Sequence, residues 1–174
     1  MTNQFQFIEN LEHYEVLVNL FKKAKRTLWI GTADIKDLYI KQGIRAVPML
    51  KLLEDIIKQG VEVRLIHAKE PGPNFRADFD KYPLLKTQLE RVLCPRVHFK
   101  LYIIDLNEAY IGSANFTGAA IGMKSNNNRN FEAGILTSNP EIVKQAVNQF
   151  DKVWIGKHCA TCTRKSYCGD KINV

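Results

Sequence analysis

Strand-like and helix-like segments alternate along this chain, and the alternation limits the folds that it can adopt. Residues 27–32 (TLWIGT) are typical of a buried strand, and residues 61–67 (VEVRLIH) alternate apolar and polar side chains. Residues 47–59 have the 3.6-residue period of an amphipathic helix, which Gly60 would end. Further strands are predicted at 97–105, 109–113 and 131–137, and further helices at 7–24, 75–89 and 139–154. The pattern predicts an α/β domain with a layered, mixed β-sheet flanked by helices.

The length and composition bound the domain count and the class of partner. The 174 residues favour one domain, which we expect over residues 1–155 with a cysteine-containing tail over 156–174, and 45% hydrophobic residues suffice for a packed core. The formal charge of +7 and the pI of about 9.2 suit a polyanion such as nucleic acid. No run reaches the roughly 18 apolar residues of a membrane span, and the first residues (MTNQF) show no secretory signal. We therefore expect a cytoplasmic protein with reduced cysteines.

One string of polar residues indicates the chemistry: His98-Phe99-Lys100, then Asp105, then Gly112-Ser113-Ala114-Asn115. Because side chains alternate faces along a strand, His98 and Lys100 share one face of the predicted strand, and Ser113 and Asn115 share a face after a tight return. A histidine that attacks or shuttles a proton, beside a lysine, a hydroxyl and an amide that donate to oxygen, suits a phosphate group. Gly112 would let the backbone approach such a ligand closely.

The spacing of the whole string is informative, whereas a histidine two residues before a lysine is not. The segment His67-Ala68-Lys69 has that pair, but Asn74 stands where the string requires aspartate, and no GSxN sequence follows. We therefore interpret His13, His67 and His158 as ordinary core or surface histidines, and the string at His98 as a functional motif.

The string HxK(x)4D(x)6GSxN resembles the signature of the phospholipase D superfamily. The motif region covers residues 97–135, including Thr117-Gly118 and Phe131-Glu132, and the resemblance extends over residues 1–155 as a phospholipase D-like catalytic domain. It implies a phosphodiesterase in which His98 attacks phosphorus, forming a covalent phosphohistidine, or acts as the acid. Lys100, Ser113 and Asn115 would hold the phosphate, and Asp105 would support the site.

The same resemblance gives Glu132 a catalytic role and removes the need for a cofactor in the chemistry. Glu132 stands where the family often has a carboxylate that orients and charges the histidine. The alternative is an exposed strand residue, since a carboxylate between Phe131 and Ala133 is unusual for a buried strand. Arg129 and Asn130 could also reach the site.

The reaction needs two histidines, a nucleophile and an acid, and the chain has one complete motif. Similarity to the small single-motif bacterial endonucleases of the family implies a homodimer in which two copies of His98 meet at a two-fold axis. The charge favours nucleic acid over lipid as the substrate. Two alternatives remain open: a phospholipid phosphodiesterase or phosphatidyl transferase, and a nucleic-acid-binding module whose active site is idle.

Four cysteines form a second candidate site. Cys159 and Cys162 have the CxxC spacing of metal ligands, Cys168 adds a third thiol, and Cys94 precedes the motif strand. Four thiolates would suit a structural zinc ion or an iron–sulfur cluster, and Arg164 and Lys165 would favour the thiolate forms. His158 is an alternative fourth ligand. The other interpretation is free, reduced cysteines in a disordered tail.

Overall fold

The computed structural model describes residues 4–36 and 38–169, and nine strands are found within them. The strands are β1 (Phe5–Glu9), β2 (Thr27–Thr32), β3 (Tyr39–Gln42), β4 (Arg45–Pro48), β5 (Glu62–His67), β6 (Glu90–Leu93), β7 (Lys100–Ile104), β8 (Glu108–Gly112) and β9 (Ala133–Thr137). Seven of these described strands form one sheet in the order β1-β9-β8-β7-β2-β5-β6, while β3 and β4 form a separate hairpin. Strands β2, β5 and β6 run parallel and the other neighbours are antiparallel, so the sheet is mixed, as predicted.

Helices cover both faces of this sheet and divide the core into two layers. They are α1 (Glu12–Lys22), α2 (Met49–Lys58), α3 (Pro73–Phe79), α4 (Pro83–Gln88), α5 (Gly118–Ile121) and α6 (Pro140–Trp154). Alternation along β7 sends Tyr102 and Ile104 into the layer under α1 and α2, and Leu101 and Ile103 into the layer under α6. On the α6 side Phe150 stacks on Trp29, with ring centroids 5.0 Å apart. Each large apolar side chain buried in this way contributes about 1.5–3 kcal/mol.

The N-terminal segment departs from the prediction. Residues 7–24 were expected to form one helix, but Phe5–Glu9 is an edge strand that pairs antiparallel with β9, and the helix begins only at Glu12. Asn10, at a φ of 46°, makes the turn between them. Pairing with a strand more than a hundred residues away outweighed the local apolar spacing.

Two further predictions are corrected in the middle of the chain. The helix expected over 75–89 is two short helices, α3 and α4, because Pro83 cannot extend a helix from the preceding turn and instead starts the second one. The strand expected over 97–105 begins only at Lys100, so His98 lies on the loop that enters β7. The hairpin β3–β4 and the strand β6 were not predicted.

The last helix has the start that its sequence predicted. Asn139 caps α6 with its side-chain oxygen, which accepts hydrogen bonds from the backbone N–H of Glu141 (3.1 Å) and Ile142 (3.2 Å), and Pro140 follows at the first helical position. After Trp154 the chain continues through turns and a short 3-10 helix, Lys165–Tyr167, and residues 170–174 of the predicted tail lie outside the described residues. Within the described residues, no helix combines the length and the apolar character needed to cross a membrane.

Candidate active site

The β7–β8 hairpin brings the two halves of the motif side by side. Lys100 pairs with Gly112 across the hairpin, so His98 and Lys100 lie next to the segment from Gly112 to Asn115. The His98 side chain is exposed, whereas Lys100 is buried and donates a 2.9 Å hydrogen bond from Nζ to the carbonyl of His98. Between them, the Phe99 ring occupies the space that a side chain at position 31 would fill, so Gly31 allows this loop to sit against β2. We call His98, Lys100, Ser113, Asn115 and Glu132 the half-site.

Glu132 is buried beside the motif. Its carboxylate accepts a short hydrogen bond from the Ser113 hydroxyl and a 3.0 Å bond from the Asn130 side chain. Its backbone N–H contacts the Asn10 side chain at 3.3 Å. The alternative of an exposed strand residue is therefore wrong, because Glu132 is 8% exposed and precedes β9. Of the described residues, none forms a hydrogen bond that joins Glu132 to His98, so an orienting role toward His98 stays a prediction.

The Ser113 hydroxyl is engaged in hydrogen bonds within the protein. Its hydroxyl donates to Glu132, and its oxygen accepts a 3.0 Å hydrogen bond from the backbone N–H of Ala133. A hydroxyl has only one proton, so in this arrangement Ser113 supports Glu132 and does not donate to a ligand. The predicted contact between Ser113 and phosphate would require the hydroxyl to turn away from Glu132.

Asn115 has its amide oriented by the strand next to the motif. The side-chain oxygen accepts a hydrogen bond from the backbone N–H of Asp34 (3.1 Å) and lies 3.3 Å from the Thr32 hydroxyl. These contacts fix which end of the amide is the oxygen, and the nitrogen is the end that can donate to a phosphate oxygen. Asn115 can therefore act as predicted, together with Lys100.

Asp105 lies at the opposite end of β7 from His98. Five strand positions separate it from Lys100, roughly 16 Å at about 3.3 Å per residue. Its carboxylate accepts hydrogen bonds from the backbone N–H groups of Lys25, Arg26 and Thr27, at 2.7–3.2 Å. Partial burial raises the pKa of Asp105, but these hydrogen bonds outweigh burial and hold the pKa below its usual value. The structure thus separates Asp105 from His98 and Lys100 and makes it an anchor between β7 and β2.

Gly112, the glycine of the motif, leaves space for the Tyr110 side chain and not for a ligand. A Cβ at Gly112 would lie 2.2 Å from the Tyr110 hydroxyl and 2.7 Å from the Ala133 carbonyl, and a Cβ at Gly134 would also meet the Tyr110 ring. The ring of Tyr110 therefore lies across two neighbouring strands. The expectation that Gly112 admits the ligand is replaced by this packing role.

A buried hydrogen-bond chain behind the half-site was not predicted. The His13 ring contacts the Asn10 carbonyl through Nδ1 (3.1 Å) and the Tyr110 hydroxyl through Nε2 (2.8 Å), and that hydroxyl accepts from the N–H of Ala114 (3.3 Å). Burial lowers the pKa of His13, partly opposed by Asn10 and Glu132, and burial raises the pKa of Tyr110 to about 12. A neutral imidazole with its proton on Nδ1 satisfies both contacts. His13 is thus a core histidine, as expected, with a specific structural role.

An open groove extends from Asn115 over the surface. Its volume is about 690 Å³, and Lys36, Lys69 and Lys124 line it. Lys36 and Lys69 both pair with Asp34, at 3.1 and 3.2 Å. Asn130 also lines the groove, whereas the Arg129 guanidinium donates to the Gly122 carbonyl and lies 6.0 Å from the Tyr14 ring centroid. Of the two residues proposed to reach the site, Asn130 does so.

The cysteines lie away from the residues that line this groove, around the loop that precedes His98. Cys94, Cys159 and Cys162 line one cavity together with His158, and Cys168 lies beside Leu93. In residues 4–36 and 38–169, no three His, Cys, Asp or Glu side chains are arranged to hold a metal ion. A zinc site made of Cys94, Cys159, Cys162 and Cys168 therefore stays a prediction.

Comparison with known proteins assigns the fold to a family. The family model described as "Cardiolipin synthase, PLD-like domain" matches residues 17–154, and no curated protein sequence matches significantly. Among solved structures, Nuc from Salmonella typhimurium, a phospholipase D family member, has 20% identity and a TM-score of 0.60, covering 87% of this chain and 93% of its own. NucT from Helicobacter pylori has 19% identity and a TM-score of 0.57, covering 85% and 94%.

A third structural match is a longer protein. TrmBL2, an archaeal chromatin protein, has 14% identity and a TM-score of 0.62 over 89% of this chain, which spans only 54% of that protein's length. At these identities the structures establish the fold, while the sequence match establishes membership. The chain belongs to the phospholipase D superfamily, and its sheet and helices have the phospholipase D-like arrangement that the motif predicted.

Proposed function

We propose that this chain is a phosphodiesterase that hydrolyses nucleic-acid phosphodiester bonds through a covalent phosphohistidine, in an active site shared by two copies. The observation that carries the proposal is the β7–β8 pairing of Lys100 with Gly112, which assembles the motif into one half-site. His98 is exposed and reachable by a substrate, while hydrogen bonds hold the side chains of Lys100, Asn115 and Glu132. Membership of a phosphodiesterase superfamily supports the reaction class.

The reaction proceeds in two displacements. In the first, an imidazole nitrogen of His98 attacks phosphorus, the bond to the leaving oxygen breaks, and His98 of the second copy gives that oxygen a proton. In the second, that same second histidine takes a proton from water, and the water oxygen displaces His98 from phosphorus. Lys100 and Asn115 donate to the phosphate oxygens as charge develops on them.

The second histidine has to come from another molecule, because the other three in this chain are unsuited. His13 is buried behind Tyr110 with a lowered pKa. His67 is buried on β5, with Nδ1 2.8 Å from the Lys69 carbonyl. His158 belongs to the tail and lines the cysteine cavity instead of the groove. A two-fold dimer supplies a second His98 without any further motif.

An apolar patch next to the half-site supports self-association. Register places Phe7, Ile135 and Ile111 in one row across β1, β9 and β8, and they are 63%, 42% and 38% exposed. Ile111 stands two residues before Ser113, so the row borders the half-site. Exposed apolar side chains in a contiguous group mark contact surfaces. We propose this row as part of the dimer interface.

The lysine-lined groove favours nucleic acid over a lipid. Phosphates of a polynucleotide recur along the strand, so cations beyond the reacting phosphate can each bind one. Lys36, Lys69 and Lys124 line the groove that begins at Asn115, and they outnumber the two carboxylates of its lining, which are Glu70 and Asp34, the partner of Lys36 and Lys69. The net charge of +7 agrees with this substrate class. The family model's description as a cardiolipin synthase domain favours the lipid alternative, and the archaeal chromatin protein favours the idle binding module.

The central experiment is a nuclease assay in EDTA with the parent protein, His98→Ala and Lys100→Ala, and with His158→Ala as the matched histidine control. We expect DNA or RNA cleavage by the parent and by His158→Ala and loss in the other two. Cleavage that requires a divalent metal, in protein that stays folded, would contradict the mechanism. Phospholipid turnover without nucleic-acid cleavage would select the lipid alternative, and binding without turnover would select the idle module.

The shared site is tested through the apolar patch. Ile135→Glu places a charge in the row, and Ile44→Glu, at a 97% exposed position in the β3–β4 turn, is the matched control. Sedimentation should show a dimer for the parent and for Ile44→Glu, and an inactive monomer for Ile135→Glu. A parent that is monomeric at assay concentration and fully active would rule out the shared site.

The polyanion in the groove is tested through the salt dependence of binding. Lys124→Gln removes a groove charge, and Lys144→Gln removes an equal charge from the exposed side of α6. The slope of log K against log salt for single-stranded nucleic acid should fall by about 0.7 with Lys124→Gln. Equal slopes for the two variants would place the binding surface elsewhere.

A further inference from the structure

A carboxylate lies among the lysines of the groove, just beyond the end of β2. Asp34 follows Thr32 by two residues and lines the groove that begins at Asn115. One of its carboxylate oxygens pairs with Lys36 (3.1 Å) and the other with Lys69 (3.2 Å), and the side chain is 19% exposed. A carboxylate at this place weakens the binding of any polyanion, because it repels phosphate and occupies two cations that could each bind one. Asp34 therefore favours a ligand that offers it something other than phosphate.

Backbone contacts fix the position of Asp34 beside the half-site. Its N–H donates a 3.1 Å hydrogen bond to the side-chain oxygen of Asn115, and its carbonyl accepts one of 2.9 Å from the Thr32 hydroxyl. The next residue, Ile35, forms a parallel bridge with Phe116. Asp34 is thus held next to the asparagine whose amide nitrogen is available to the scissile phosphate, so its carboxylate is placed to meet the backbone of a bound strand.

The charge state of Asp34 limits the groups that it can recognise. Partial burial raises the pKa of Asp34, but the hydrogen bonds from Lys36 and Lys69 outweigh burial and hold the pKa below its usual value. The carboxylate is therefore ionised at neutral pH and can only accept hydrogen bonds. The sugar–phosphate backbone of DNA offers acceptors and no donor, whereas each ribose of RNA carries a 2′-hydroxyl that can donate. Beside the backbone, Asp34 gains a hydrogen bond with RNA and none with DNA.

We propose that Asp34 accepts a hydrogen bond from the ribose 2′-hydroxyl next to the scissile phosphate and so makes the site selective for RNA. This inference rests on the proposed phosphodiesterase function and narrows its substrate class. Amino groups of the bases are donors too, but Asp34 lies between two cations of the groove, so the contact is placed on the sugar, beside the phosphates. Asp34 takes no part in breaking the phosphodiester bond. Its effect is on the choice between the two polymers.

The first experiment compares cleavage of single-stranded RNA and DNA of one sequence by the parent, Asp34→Ala and Glu70→Ala. The parent should have a kcat/KM for RNA at least about tenfold above that for DNA. Asp34→Ala removes the acceptor but keeps the backbone N–H that orients Asn115. Its ratio should fall close to one, with slower RNA cleavage and with DNA cleavage no slower than the parent's, because two lysines are released. Glu70, the other carboxylate of the groove, pairs with Arg76, and Glu70→Ala should keep the parent's ratio.

The second experiment removes the hydroxyl from the substrate, so it needs no folded variant to test the parent. RNA carries one 2′-deoxynucleotide on either side of a cleaved bond. One of these positions should slow the parent about tenfold and leave Asp34→Ala unaffected, because the carboxylate and the hydroxyl form one interaction.

Three results would overturn the inference and leave the proposed function intact. They are a parent ratio near one, equal losses on RNA and DNA in Asp34→Ala, and an altered base preference in both polymers, which would move the contact to a base. A parent that cleaves neither polymer would overturn the proposed function, and this inference with it.

Discussion

One end of β7 carries His98 and Lys100, and the other end leads into Asp105, although a single sequence motif spans both. At the first end His98 is exposed, and the Lys100 ammonium group donates a hydrogen bond to the His98 carbonyl. At the second end the Asp105 carboxylate accepts hydrogen bonds from three consecutive backbone N–H groups, those of residues 25–27, where the chain enters β2. One end is thus available to a substrate, and the other is fully engaged in the fold.

The contrast shows that fixed spacing in a motif has two physical origins. In the proposed mechanism, the spacing of His98, Lys100 and Asn115 follows from the need of their side chains to meet at one phosphate. Asp105 is fixed because the hairpin must return in register, and its φ of 51° lies in the left-handed region that aspartate tolerates better than most residues. Substitutions at the two ends should therefore change different measured quantities.

The largest expected effect is on activity at the exposed end. His98→Ala should lower the rate constant of cleavage by roughly 10⁴-fold or more, because it removes the nucleophile and, in a dimer, the acid as well. The free energy of unfolding should change by less than about 0.5 kcal/mol, since the side chain is exposed. Single-turnover kinetics and urea unfolding measure the two. A loss below tenfold would remove His98 from the mechanism.

At the engaged end the effect should fall on stability. Asp105→Asn keeps the shape and the tolerance of positive φ but removes the charge, and should lower the free energy of unfolding by about 1–2 kcal/mol. Cleavage under conditions where the variant is folded should stay within about threefold of the parent. Asp80→Asn, at a surface ion pair with Lys86, is the matched control and should cost about 1 kcal/mol or less. A large loss of cleavage in folded Asp105→Asn would contradict the division between the ends.

Glu132 and Ser113 provide a further test of the exposed end of β7, because the hydrogen bond between them lies beside His98 and Lys100 in the half-site. Glu132→Gln and Ser113→Ala should each lower the cleavage rate by about tenfold, equivalent to about 1.4 kcal/mol. If Ser113 acts by supporting Glu132, the double variant should be no slower than the slower single one, whereas independent roles would multiply. If the two rate losses multiply in the double variant, the result would instead support a direct contact between Ser113 and phosphate.

The sequence predicted local secondary structure better than it predicted which distant residues contact each other. Both bounds of β2 and the start of α6 follow from short-range patterns. The edge strand β1 was missed because it is stabilised by pairing with β9, which local spacing does not reveal. The contacts of Asp105 with residues 25–27 cross about eighty positions, and His13 reaches Tyr110 across 97. Such contacts depend on the assembled sheet, so the motif alone placed Asp105 in support of the active site.

The smallest expected effects concern the pH dependence of the free energy of unfolding, to which His13, behind the half-site, and Asp105, at the engaged end of β7, contribute in different pH ranges. Burial lowers the pKa of His13 below 6.5, although Glu132 and Glu12 raise it, so the unfolded chain binds more protons and stability should fall as pH drops below 6.5 through the folded pKa. The pKa of Asp105 is lowered from 3.8, so its contribution is complete above 3.8 and is lost only as pH falls further. Urea unfolding from pH 8 to 3 would show both steps. His13→Gln should remove the step near 6.5 and leave the acid step, while Asp105→Asn should weaken the acid step and leave the first. An unchanged slope near pH 6 in His13→Gln would contradict the lowered pKa of the buried, neutral His13.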